Sequence, residues 1–203
     1  TARVEAQGVA HSGDRVGEGE LVKSLLDEMR THDLLVAGRE SHFYYAEPER
    51  RTHTLGKVLQ DAAAATLIVG TERPIVRRVA VAYDGSGPSA RAMQKFAHLA
   101  PFGTDLDVEV VHVRGGSEAD VLASDRLRQD PAAYLRAHGF ERVTTTAIES
   151  SDPANRICEL AQGDRADLVV SGAFAKKGFR KMLFGSSATK LLEQATVPLF
   201  LYH

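Results

Sequence analysis

The residues best placed for chemistry are Gly172 and Ala175, followed after nine residues by Gly185-Ser186-Ser187. A glycine at the end of a parallel strand lets backbone pass close to a ligand. A Gly-Ser pair opening a helix offers amide groups, a hydroxyl and the positive end of the helix dipole, so both ends of this segment suit a phosphate chain. Between them Lys176, Lys177, Arg180 and Lys181 place four positive charges within six residues, on a chain whose balance is otherwise close to neutral. Such a run is either phosphate counter-charge or an ordinary solvated loop, and the residues alone leave both open. A turn at Gly172 and a cap at Ser186 are the plainer alternatives. Asp84 follows a short apolar run and precedes Gly85-Ser86-Gly87-Pro88. Its carboxylate either accepts hydrogen bonds from a ligand at the carboxyl edge of a sheet, or organises an Asx turn.

These residues need a scaffold that brings strand ends together, and the second half of the chain reads as one. Residues 78–83 (RVAVAY), 106–113 (LDVEVVHV), 142–148, 167–171 (DLVVS) and 197–202 read as strands. Helical spacing of Ala90, Met93, Ala97 and Ala100 fills the first gap, ending at Pro101-Phe102-Gly103. A mostly polar helical stretch to His138-Gly139 fills the second, with a helix start expected at Asp130-Pro131. Asp152-Pro153 caps a helix through Gln162, and a loop over 172–184 leads into a helix over 186–194. The alternation βαβαβαβαβ predicts a doubly wound α/β fold, with a parallel five-stranded sheet of order 3-2-1-4-5 and the last strand at one edge.

The first half repeats the end of that order, with strands expected at 2–9, 34–37 and 66–69 and helices at 20–31 and 55–64. The segment Asp33-Leu-Leu-Val-Ala-Gly38 parallels Asp167-Leu-Val-Val-Ser-Gly172, which argues for two related copies of one unit. The expected boundaries are 1–72 for a degenerate C-terminal part of a first copy and 73–203 for a complete second one, with the linker at 70–74. A first copy equivalent to the second needs two more strands and two more helices before Ala2. Upstream residues or another chain are therefore expected to fill the gap between strands 2–9 and 34–37, and Thr1 is not expected to be the natural start. The corresponding loop of the first half, Gly38-Arg39-Glu40-Ser41 with Glu47 and Glu49 before Leu55-Gly56-Lys57, lacks the phosphate spacing and is acidic, so no nucleotide is expected there.

At this point the sequence resembles the universal stress protein family. Its nucleotide-binding members carry G-x2-G-x9-G-(S/T) before the last helix and strand, an Asp ending the first strand and a His-Val pair ending the second. Here these positions are Gly172, Ala175, Gly185, Ser186 and Ser187, then Asp84, then His112-Val113, and the closing Ala195-Thr-Val-Pro-Leu-Phe-Leu201 is similar to the family's last strand. The resemblance implies ATP binding, with magnesium, in some members, backbone groups of Val113 lent to the base, and dimerisation or tandem pairing through the final strand. Ala175 stands where the family has its second loop glycine, and a methyl there opposes close approach or a positive φ.

Composition narrows the rest. Lys and Arg number 25 against 27 Asp and Glu, so no global positive field exists for nucleic acid or an anionic membrane, and neither partner is expected. One cysteine excludes an internal disulfide, no apolar run approaches the roughly 18 residues of a spanning helix, and a cytoplasmic location is the expectation. Cys158 reads as a core thiol. The eight histidines, His42, His53, His98, His112 and His138 among them, lack metal-ligand spacing in sequence. Phe43-Tyr44-Tyr45 reads as a local loop core or an interface. No nucleophile elbow, Walker A loop or general acid-base pair is present, so the expectation is a stress-response sensor or regulator rather than an enzyme, with slow ATP hydrolysis left open. The competing expectation is a nucleotide-free interaction module, acting as a homodimer or as an intramolecular pseudo-dimer.

Overall fold

The computed structural model describes residues 21–39, 50–115, 117–162, 165–173 and 186–203. In chain order the elements are α1 (Leu21–Glu28), β1 (Leu34–Gly38), α2 (Arg50–Asp61), β2 (Ala65–Val69), β3 (Arg78–Ala82), α3 (Gly87–Leu99) and β4 (Asp107–Arg114). Then follow α4 (Glu118–Ala137), β5 (Arg142–Glu149), α5 (Pro153–Leu160), β6 (Leu168–Gly172), α6 (Ser186–Gln194) and β7 (Leu199–Tyr202). The strands form one seven-stranded sheet of order β1-β2-β7-β6-β3-β4-β5.

Within it, β7-β6-β3-β4-β5 are parallel neighbours in the relative order expected from the βα alternation. Two expectations are corrected. Among the described residues the sheet is mixed and has seven strands rather than five, and β7 is interior rather than an edge, because β2 pairs with it antiparallel through Thr66 and Leu201, Leu67 and Phe200, and Ile68 and Leu199. The reason is backbone accounting: an edge strand carries a row of unpaired amide and carbonyl groups, and two such edges satisfy each other. The strand expected at 2–9, and hence the gap beside it, lies outside the described residues, as do Phe43, Tyr44 and Tyr45.

The register carries more information than the order. Leu35 pairs with Thr66 as Val169 pairs with Leu199, and the correspondence continues to Gly38 with Val69 and Gly172 with Tyr202. Just beyond, Arg39 N donates to Val69 O at 2.7 Å and Ala173 N donates to Tyr202 O at 2.8 Å. The β2–β7 pairing is symmetric about Leu67 and Phe200.

Helices cover both faces, as parallel strands require. On one side Ala92, Met93 and Phe96 of α3 and Ala132 and Leu135 of α4 pack on Val79, Val81, Val110 and Val170, with Phe96 between Phe140 and Phe200. On the other, Leu55 and Leu59 of α2, Cys158 of α5 and Leu191 of α6 cover Ile68, Ala80, Val169 and Leu199. Cys158 is a buried thiol, and its burial pushes its pKa up, which makes it a packing group. The helix expected to start at Asp130-Pro131 does not: α4 runs continuously through Pro131, giving up the backbone bond that proline cannot donate while burying Ala132 and Leu135. The helix α3 stops at Ala100, which takes a left-handed cap at φ 38°. No helix among the described residues is long and apolar enough to cross a membrane.

Candidate functional site

Ala82, Val111 and Ser171 are level across β3, β4 and β6. Asp84 comes two residues after Ala82, Val113 two after Val111 and Gly172 one after Ser171, so three of the expected residues share the carboxyl edge of adjacent strands. The helices α3 and α6 leave from this same edge, because each follows a parallel strand and runs back toward the start of the next. Their amino ends, and the positive ends of their dipoles, therefore face it. Between β3 and β6 the connections diverge to opposite faces of the sheet, which is where open α/β sheets take ligands.

Asp84 is exposed and forms the turn that the sequence allowed. Its Oδ1 accepts from Ser86 N at 2.9 Å, Gly85 takes φ 77°, and Ser86 Oγ accepts from Ser89 N at 3.3 Å to cap α3, whose first turn contains Pro88. The surrounding packing raises the Asp84 carboxyl, but the Ser86 and Ser89 hydroxyls and the Ser86 amide outweigh it and hold the group below the ordinary carboxylate range. The edge thus presents a fixed anion with one oxygen engaged by backbone.

Gly172 meets a packing need that the spacing did not suggest. It is the last residue of β6, and a methyl built on it would lie 2.5 Å from Ser89 N and 2.6 Å from Pro88 C. Strand end and helix start touch, so the glycine serves packing between β6 and α3, and the space its side chain would fill is already taken. Val113 is half-buried on β4 opposite Ile148. Its neighbour Arg114 pairs with Glu149 at 3.2 Å. Ala175 and Gly185 fall outside the described residues, together with Lys176, Lys177, Arg180 and Lys181. Ser186 and Ser187 form the first turn of α6.

Sequence reading did not assign the roles of three residues, the first two of which hold this edge. Buried His112 donates Nδ1–H to Tyr83 O at 2.9 Å, fixing the end of β3 to β4. Ser89 is buried against Gly172. Arg39 donates to Ala195 O and, at 2.6 Å, to Val197 O, capping the carboxyl end of α6. Only Ser89 had a local signal, the S-x-x-S spacing from Ser86.

A cavity of about 300 Å³ lies at the opposite, amino edge, lined in part by Arg78, Asp107, Glu109, Arg142 and Arg165. Its arginines are engaged: Arg78 with Asp167 at 2.7 Å, Arg142 with Asp105 and Asp107 at 2.7 and 2.5 Å, and Arg165 with Glu109 at 3.0 Å. It is an ion-paired shelf remote from Asp84. Among the described residues no group of three His, Cys, Asp or Glu side chains is placed to hold a metal ion.

The comparisons agree with this architecture. A universal stress protein of Methanocaldococcus jannaschii is 25% identical over 145 residues, covering 64% of this chain and 84% of its own length. The crystal structure of a universal stress protein from Archaeoglobus fulgidus superposes with TM-score 0.70 at 20% identity, over 99% of this chain and 72% of that one. A universal stress protein solved in complex with cAMP superposes with TM-score 0.51 at 19% identity, over 63% of this chain and 97% of that one. The model of the universal stress protein family matches residues 76–203, from just before β3 through the last residue, and so includes the whole carboxyl edge described above. The chain belongs to the universal stress protein family.

Proposed function

We propose that this protein binds an adenine nucleotide, ATP with magnesium, at the carboxyl edge of residues 73–203, and acts as a stress-response sensor or regulator rather than by turnover. The observation that carries the reading is the meeting of Asp84, Val113 and the amino end of α6 at one edge, at the point where connections diverge across the sheet. In this reading the Asp84 oxygen not held by Ser86 accepts from the ribose, and backbone groups at Val113 meet the base. The first amides of α6 with Ser186 and Ser187 receive phosphate, with Lys176, Lys177, Arg180 and Lys181 as counter-charge. A family relative solved with cAMP supports the adenine-nucleotide class. Among the described residues at this edge no group is arranged as a general base, which supports sensing over catalysis.

In the same reading residues 1–72 are the degenerate C-terminal part of a first copy and 73–203 the complete second one. The matching registers of β1–β2 and β6–β7, and the symmetric β2–β7 pairing, support an intramolecular pseudo-dimer. That pairing together with Ala175 also favours the second reading, a nucleotide-free interaction module. Calorimetric titration with ATP and magnesium separates the two. Binding is expected in the parent, strengthened by Ala175→Gly and weakened by Gly185→Val; no heat from any of the three, with folding intact, excludes the nucleotide reading.

A further inference from the structure

The carboxyl ends of α3 and α4 meet in a cluster that the nucleotide edge does not use. His98 lies in the last turn of α3, Tyr134 in the last turn of α4 and His138 just beyond it. The Tyr134 hydroxyl is 3.0 Å from His98 Nε2, and His138 Nδ1 is 2.8 Å from the Tyr134 carbonyl oxygen. A carbonyl only accepts, so His138 Nδ1 carries the proton, and in the neutral ring Nε2 keeps the lone pair. The Tyr134 and His138 rings stack at 4.1 Å, and His98 Nε2 sits at the hydroxyl end of the same tyrosine. The two imidazole centroids are 5.1 Å apart.

We propose that His98 and His138, with the Tyr134 hydroxyl beside them, form a site for a borderline divalent transition-metal ion that links α3 to α4. Two imidazoles on one tetrahedral zinc, with Zn–N of about 2.0 Å, hold their ring centroids about 5 Å apart, the spacing found here. Metal-bound histidines commonly give their other N–H to a backbone carbonyl, which fixes tautomer and ring direction, and His138 does this already. Imidazole and phenol suit zinc, nickel or copper and not calcium or magnesium. With no third imidazole, thiol or carboxylate grouped with them among the described residues, solvent completes the shell. His98 Nε2 accepts from the Tyr134 hydroxyl, and on binding that O–H turns away with its proton so that the Nε2 lone pair faces the metal.

Zinc chloride titration of the uniformly ¹⁵N-labelled protein, followed through the imidazole nitrogens, tests this without mutation. The Nε2 resonances of His98 and His138 are expected to shift together at one added equivalent. By calorimetry, His98→Ala and His138→Ala are each expected to weaken this zinc step by about tenfold or more. Tyr134→Phe is expected to keep both imidazole shifts. Two resonances that stay still or move independently, or alanine variants that bind zinc as the parent does, overturn the site. None of these readouts involves nucleotide.

Discussion

Replacing Gly172 by alanine tests the reason given for that glycine. The added methyl would sit 2.5 Å from Ser89 N, 2.6 Å from Pro88 C and 3.0 Å from Pro88 Cβ. Comfortable carbon contacts begin near 3.5 Å, so the first turn of α3 has to withdraw by about 1 Å. It has little room to do so. Ala92 and Phe96, one and two turns further along, are fully buried against the sheet, and the opposing atoms at Gly172 are mostly backbone that no rotamer change can move. Overpacking of this kind costs about 1–3 kcal/mol. For a chain of this size each kcal/mol lowers the melting temperature by about 2–4 °C. Scanning calorimetry of Gly172→Ala is therefore expected to show a fall of several degrees with the transition still cooperative. Gly70→Ala is the control, because a methyl there meets nothing within 4 Å, and a change within about 0.5 kcal/mol is expected. A Gly172→Ala protein that melts with the parent, or with Gly70→Ala, refutes the packing argument.

Thr66→Val is expected to stabilise: Thr66 is fully buried on β2 and its hydroxyl has no partner among the described residues, so an isosteric methyl recovers about 1 kcal/mol or more, read as a raised urea midpoint. Arg39→Ala leaves the Ala195 and Val197 carbonyls without their charged donor and is expected to cost about 1.5–3 kcal/mol, with proteolysis near the end of α6 accelerated; unchanged stability and cleavage would count against the cap. Asp167 governs an acid limb. Burial raises its carboxyl, but Arg78 and the amides of Arg77 and Arg78 outweigh this and lower it, so as pH falls the unfolded chain takes up the proton first. The stabilisation is complete above the ordinary carboxylate pKa near 4 and is lost as pH falls through the depressed folded value. The stability gap between the parent and Asp167→Asn is expected to be widest at neutral pH and to close in acid, and a gap independent of pH refutes the assignment.

The candidate site was only partly legible in the chain. The turn at Asp84-Gly85-Ser86 and the start of α6 at Ser186 follow from local residue chemistry, and both were readable. The cap at Asp152, whose Oδ1 accepts from Asn155 N at 3.1 Å, was readable for the same reason. His112 was named only for its place beside Val113, because its anchoring role depends on the Tyr83 carbonyl of a neighbouring strand. His98, Tyr134 and His138 show no ligand spacing along the chain, since they come from two helices that only the packing on one sheet face brings together.

The sequence by itself determined the alternation of strand and helix in residues 78–202, the parallel sense of those strands and the burial of their apolar cores, because each follows from side-chain periodicity and turn residues over short windows. Tertiary structure alone decided the antiparallel joining of β2 to β7, the single seven-stranded sheet, the run of α4 through Pro131 and the contact of Gly172 with α3. The last two depend on which surfaces the stacking brings together, and the first two on which backbone groups lack a partner once the elements are stacked. Side-chain patterns do not encode that directly, since every residue but proline brings the same amide donor and carbonyl acceptor to a strand edge.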